Sequence, residues 1–109
     1  MRKIEQKMIQ AVRSRRDWQS SNTRVDVVGD GHIIVRLHGH PIAELIQEDH
    51  VLWVRDCGWQ TTTTKSRLNA LLRAFCPGCG IYQKDWVWFL SRRDCDTEME
   101  RDAAYAVSL

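Results

Sequence analysis

The sequence predicts an α+β domain, with two helices packed on an antiparallel sheet of about five strands in the order α-β-β-β-β-α-β. Three observations lead there. Apolar residues recur at helical spacing near the N-terminus and again after Thr64. Between those stretches lie four short runs of alternating character. The links between the runs are tight-turn residues, too short for the crossovers that parallel strands require.

The first helix is expected over residues 3–16. Ile4, Met8, Ala11 and Val12 share a face, with Ile9 beside them, while Gln6, Gln10 and Arg13 fall opposite. Ser20-Ser21-Asn22 breaks that pattern. Thr23–Val28 and His32–Leu37 flank Gly29-Asp30-Gly31 and read as a hairpin. His38-Gly39-His40-Pro41 is a second turn, Ile42–Gln47 a third strand and Val51–Cys57 a fourth. Thr64 reads as the N-cap of the second helix, whose buried stripe is Leu68, Leu71, Leu72 and Phe75 and which Pro77-Gly78 ends. Ile81–Leu90 is the last strand or bent pair of strands. Tyr82, Lys84, Trp86 and Trp88 are expected on one side of it, and Ile81, Val87 and Phe89 on the other. A single domain over 1–90 follows, with 91–109 as a charged tail that is frayed helix or disordered.

With 43% apolar and 28% charged residues, the composition is that of an ordinary globular protein. No run approaches the ~18 apolar residues of a membrane span, and the first residues lack the apolar stretch of a secretory signal. A cytoplasmic protein with reduced cysteines is the expectation. The net charge of +2 is unevenly spread. Residues 1–24 hold seven cations against Glu5 and Asp17, whereas 91–109 hold three cations against five acids. A basic front suits an anionic partner, or internal pairing with the acidic end.

The block Gly58-Trp59-Gln60-Thr61-Thr62-Thr63-Thr64-Lys65-Ser66-Arg67-Leu68-Asn69-Ala70-Leu71-Leu72 joins a strand to a helix and concentrates hydroxyls and cations there. Together with the later Tyr82-Gln83-Lys84-Asp85-Trp86-Val87-Trp88, it resembles a pattern in small proteins encoded by tailed bacteriophages. The resemblance covers roughly residues 1–90. It implies a basic N-terminal helix, a β-rich middle and life inside a host cell, and it implies no particular activity. Small phage proteins often act as inhibitors or takeover factors on a host defence or transcription complex, so a host protein partner is one expectation it carries.

The residues themselves suggest nucleic acid. Arg13, Arg15, Arg16 and Arg24 could contact phosphates, each releasing counterions; the plainer reading is a solvated helix face with cations at the end its dipole favours. Thr64, Lys65 and Arg67 sit where a helix start offers free amides to an anion, or simply form a capped strand exit. Lys84 beside Trp86 and Trp88 suggests base stacking, against the plainer reading that most of the five tryptophans are core. Cys76-Pro77-Gly78-Cys79 has the form of a zinc knuckle, with Cys57 and Cys95 the remaining thiols. The second paired knuckle is missing, so free thiols in a helix-ending loop are expected, and no cofactor. His38-Gly39-His40 reads as exposed turn polarity.

No nucleophile elbow, phosphate-cradling glycine loop or convincing carboxylate pair is present, so catalysis is not expected. Asp26, Glu44 and Asp56 fall one to a strand. The expectation is a non-catalytic phage accessory protein that binds nucleic acid through its phosphate backbone, with protein–protein inhibition as the alternative. A virion role stays open, and an unpaired edge strand would allow a homodimer.

Overall fold

The computed structural model describes residues 2–109. Helix α1 spans Lys3–Ser14 and is followed by β1 (Trp18–Ser20), β2 (Thr23–Gly29), β3 (His32–Leu37), β4 (His40–Ile46) and β5 (Val51–Val54). Helix α2 (Thr62–Phe75) precedes β6 (Gly80–Lys84), β7 (Val87–Ser91), β8 (Asp96–Glu98) and β9 (Tyr105–Ser108). The fold is α+β and the strand pairs are antiparallel, as the tight turns between the first strands predict. Rather than one sheet of about five strands there are two, ordered β1-β2-β3-β4-β5-β9 and β6-β7-β8.

Period-two alternation sends Val25, Ile33, Val35, Leu37, Leu52, Val54 and Val107 to the inner face of the large sheet. There they meet Met8, Ile9, Ala11 and Val12 of α1 and Leu68, Leu71 and Leu72 of α2 in one core cluster. The second sheet adds Ile81, Trp88 and Leu90 to that cluster. Asn69 of α2 anchors it by imitating a strand: its Oδ1 accepts from the Ile81 N–H at 2.7 Å and its Nδ2 donates to the Ile81 carbonyl at 2.9 Å.

Three expectations about the strands and the C-terminal segment need correction. Helix α1 already ends at Ser14, with Arg15 as its cap, and Ser20-Ser21-Asn22 instead turns the chain back, so that β1 pairs with β2. Residues 91–109 are neither frayed helix nor disordered. Val107 faces Leu52 across the β5–β9 pair and is buried, which secures the large sheet's last strand. Arg92 ties the two sheets together, donating to the Ala106 carbonyl at 3.1 Å and to the Thr97 hydroxyl at 3.0 Å. Finally, Lys84 and Val87 pair across a two-residue turn, Asp85-Trp86, with φ of 51° and 68°. Positive φ at both central residues marks the primed turn that suits strand twist. The turn restarts the alternation, so Trp88 lies beside Ile81 in the core at 3% exposure instead of sharing a face with Tyr82. Tyr82 stacks on Phe89, centroids 5.3 Å apart, on the other side.

Helix α2 begins earlier than expected. Thr61 is the N-cap, its Oγ1 accepting from the Thr64 N–H at 3.1 Å, and the Thr64 side chain is buried against it.

Candidate nucleic-acid interface

Helices α1 and α2 pack side by side with their N-termini at the same end: Glu5 meets Ser66 and Arg67, while Arg13 meets Phe75. Two hollows follow the seam between them. One is lined by Arg2, Glu5, Ser66, Asn69, Ala70 and Arg73, the other by Gln6, Ile9, Gln10, Arg13, Arg73 and Ala74. Arg73 belongs to both and stands between them along the seam, and the two together are called the groove.

The α1 wall follows from helical spacing. Arg2, Gln6, Ile9 and Arg13 recur at three or four residues and so share a stripe. Arg13 is further steered by Phe75, its guanidinium carbon lying 5.7 Å from the ring centroid. No ion pair among the described residues involves Arg2, Arg13 or Arg73. The one acid on the groove is already engaged. Glu5 is 3% exposed, and its Oε2 accepts from Arg67 at 2.8 Å and from Ser66 at 2.6 Å. Three guanidiniums, two glutamine amides and a neutralised carboxylate leave the groove with a net positive field.

At the N-terminal end of α2 lies a separate cavity of about 450 Å³. Leu37 and Ile42 supply apolar walls, Trp59 an aromatic one, and His38, Thr61 and Thr63 polar edges. The β3–β4 turn that positions His38 has positive φ at both His38 (52°) and Gly39 (81°). On the other side the loop from β5 to α2 is held by Asp56, which is 1% exposed. Its Oδ1 accepts from the backbone N–H of Gly58 (2.8 Å) and of Asp102 (2.7 Å), and its Oδ2 from Gln60 Nε2 (2.9 Å).

A family model for the Kyanoviridae Gp96 protein matches residues 1–106. The chain belongs to that family. It is a bacteriophage family, so the phage resemblance stands as to source, although the match does not single out the Gly58–Leu72 block. No curated protein and no solved structure matches the chain.

In this member of the family the residues expected to bind nucleic acid are dispersed. Arg13 lines the groove, while Arg15 and Arg16 are exposed just past the end of α1, where Arg15 bonds Gln47. Arg24 lies on the outer face of the large sheet and pairs with Asp26 at 2.7 Å. Burial pushes the Asp26 carboxyl up, but hydrogen bonds from Arg36 and Arg24 outweigh it and hold the group below its ordinary value. Arg24 is thus already compensated. Arg67 is the clearest correction. At 4% exposure it cannot reach a phosphate, because α2 aims it inward at Glu5, Thr23 and Asn22. Thr64 is likewise buried and Lys65 half-buried, while Lys84 is exposed beside the β6–β7 turn. Trp86 caps that turn at 88% exposure, and Trp88 is core, so the two do not form a stacking pair.

The four cysteines do not assemble a zinc site. No group of three or more His, Cys, Asp or Glu among the described residues is placed to hold a metal ion. Cys57 donates to the Pro41 carbonyl at 3.1 Å, Cys76 is buried in the core and Cys95 is exposed. Burial, helped by Cys79, pushes the Cys76 thiol up to about 11, which disfavours the thiolate a metal would need. Asp26, Glu44 and Asp56 are also apart: Asp26 faces arginines, Glu44 bonds His32, and Asp56 holds a loop. No helix among the described residues is long and apolar enough to cross a membrane.

Sequence reasoning missed Arg73 and Trp59. Arg73 lies off the apolar stripe of α2, and only the packing of α1 shows that its face is one wall of a groove.

Proposed function

We propose that this phage protein binds nucleic acid along the α1–α2 groove, with Arg2, Arg13 and Arg73 against the phosphate backbone. What carries the reading is the groove itself: three guanidiniums unpaired among the described residues converge on one seam whose single acid is consumed by Arg67. From Arg2 to Arg13 the seam runs about 16 Å at the helical rise, which is long enough for successive phosphates. Gln6 and Gln10 add neutral donors of the kind that position a backbone without reading sequence.

The test is fluorescence anisotropy with labelled single-stranded DNA, duplex DNA and RNA at several salt concentrations. Binding is expected to weaken steeply with salt, and Arg13→Ala combined with Arg73→Ala should lower the slope of log K against log salt by about two. No binding to any of the three at low salt would end this reading. So would an unchanged slope in the double variant.

A second reading, attachment to a host protein, is favoured by Trp86. A large aromatic at a positive φ of 68° is strained, and at 88% exposure the molecule gains no burial from it. Such a ring is the kind of anchor that fills a pocket on a partner. On this reading Trp86→Gly should stabilise the fold by about 1 kcal/mol, since it relieves the left-handed strain, while abolishing capture of host proteins from lysate. Capture that survives the substitution counts against it.

A further inference from the structure

We propose that the cavity at the start of α2 receives one unstacked nucleobase of a single strand whose phosphates lie in the α1–α2 groove; this rests on the nucleic-acid reading above. The two features are joined by one stripe of α2. Thr63 lines the cavity, Ser66 and Ala70 line the groove, and Arg73 stands at the groove's centre. Spaced three, four and three residues apart, they fall on a single helix face about 15 Å long.

The chemistry of the cavity selects a base over a phosphate. Its volume of about 450 Å³ lies within the range of small-ligand pockets. Leu37 and Ile42 offer no counter-charge, and the Asp56 carboxylate on the wall opposes an anion. A neutral flat heterocycle meets neither objection. Trp59 supplies the stacking surface: it is 59% exposed, and its ring lies 6.4 Å from that of His40 at an interplanar angle of 35°. Unpaired bases are commonly held by aromatic faces in this way, with hydrogen bonds to their edges. Here the edge donors and acceptors are the exposed His38 ring and the Thr63 hydroxyl, which has no hydrogen bond among the described residues.

The site is also built before any ligand arrives. Thr61 caps α2, Cys57 Sγ is bonded to Pro41, and Asp56 fixes the intervening loop. A stacked base therefore meets walls that need little reordering. A duplex, whose bases are already stacked and paired, cannot use the cavity without unpairing one. The protein should therefore prefer single strands, a property the groove alone does not confer.

The deciding experiment compares a labelled single-stranded DNA, the same sequence as RNA, its duplex, and an abasic strand of equal length. Wild type is expected to bind both single strands at least tenfold more tightly than the duplex or the abasic strand. Trp59→Ala should weaken the single strands to the duplex level and leave duplex and abasic binding unchanged, with Trp59→Phe retaining most of the preference. Circular dichroism confirms that the variant is folded, as expected for a side chain this exposed. If wild type binds strands of all four kinds alike, or Trp59→Ala loses affinity for all of them equally, the base pocket is wrong while the groove reading stands. If nothing binds at low salt, both fall. A preference for DNA over RNA or the reverse, with the same loss in Trp59→Ala, supports the pocket and shows which sugar the strand carries.

Discussion

Arg67→Met is expected to destabilise the domain by about 3–5 kcal/mol, the usual cost of breaking a buried ion pair from one side. The side chain joins three elements. Its Nη1 donates to Glu5 of α1 at 2.8 Å, its Nε to Thr23 of β2 at 3.0 Å, and its Nη2 points to Asn22 in the β1–β2 turn at 3.4 Å. Without it the Glu5 carboxylate stays buried with only Ser66 as a donor. Against a total stability of about 5–15 kcal/mol for a domain, that loss is large. Glu5→Gln should cost less, because the amide oxygen can still accept. Replacing both charges, Glu5→Leu with Arg67→Met, should recover most of the loss, since a buried pair often does little better than well-packed apolar residues. Urea unfolding of the four proteins closes a double-mutant cycle. A single Arg67→Met costing under about 1 kcal/mol would mean the pair is solvated in solution. The folded fraction of this variant should keep the wild-type salt slope for nucleic acid, which separates Arg67 from the groove cations.

The contrast between Arg67 and Arg73 explains what could be read in the sequence and what could not. Periodicity located α2 and its Leu68, Leu71, Leu72 stripe, because apolar burial has a period that one chain displays. It could not show that Arg67, inside a block of hydroxyls and cations, points at an acid sixty-two residues earlier. Nor could it show that Arg73, an unremarkable outward cation, faces α1. Polar pairing over long sequence distance leaves no periodic trace. A charged residue looks solvated until the fold supplies its partner.

The aromatic segment failed for a different reason. One alternation carried through Tyr82–Trp88 places Trp86 and Trp88 on one face, and the expected strand or bent pair of strands does not locate a full reversal between them. The turn residues are Asp85 and Trp86, and Trp86 sits where Gly or Asn is the usual signal, so the reversal was invisible. Once the turn is known, the alternation on each side is regular: Ile81 and Leu90 pair, and Trp88 joins them inward. The C-terminal strand was missed because Tyr105–Ser108 is short and follows a charged stretch. What holds it is pairing with β5, more than fifty residues earlier, and that is a tertiary fact. Trp59 was legible as an aromatic beside a strand end. Its place on a cavity wall depends on the β3–β4 turn arriving opposite, which no local pattern encodes.

Asp56→Ala is expected to have the second-largest effect, about 3 kcal/mol or more. Alanine removes the buried carboxylate that accepts from the Gly58 and Asp102 amides and from the Gln60 side chain, and a hydrogen bond to a charged acceptor contributes about 1.5–3 kcal/mol, which water reaching these partly exposed donors offsets only in part. Asp56→Asn discriminates geometry from charge. Its oxygen can keep both backbone bonds, and Gln60 can reverse its own amide to face the new NH₂, so about 1 kcal/mol is expected. The loss should also be local in character. Asp56 is the tether between the β5–α2 loop and the segment leading into β9, so Asp56→Ala should speed hydrogen exchange at the Ala106 and Val107 amides more than at Val35 in the sheet centre. Uniform acceleration would show that Asp56 supports the whole core rather than this one seam. If Asp56→Asn proves as costly as Asp56→Ala, the negative charge is what matters. In that case the carboxylate is serving the cavity's electrostatics, and single-strand preference should change in Asp56→Asn while its stability loss stays confined to the loop.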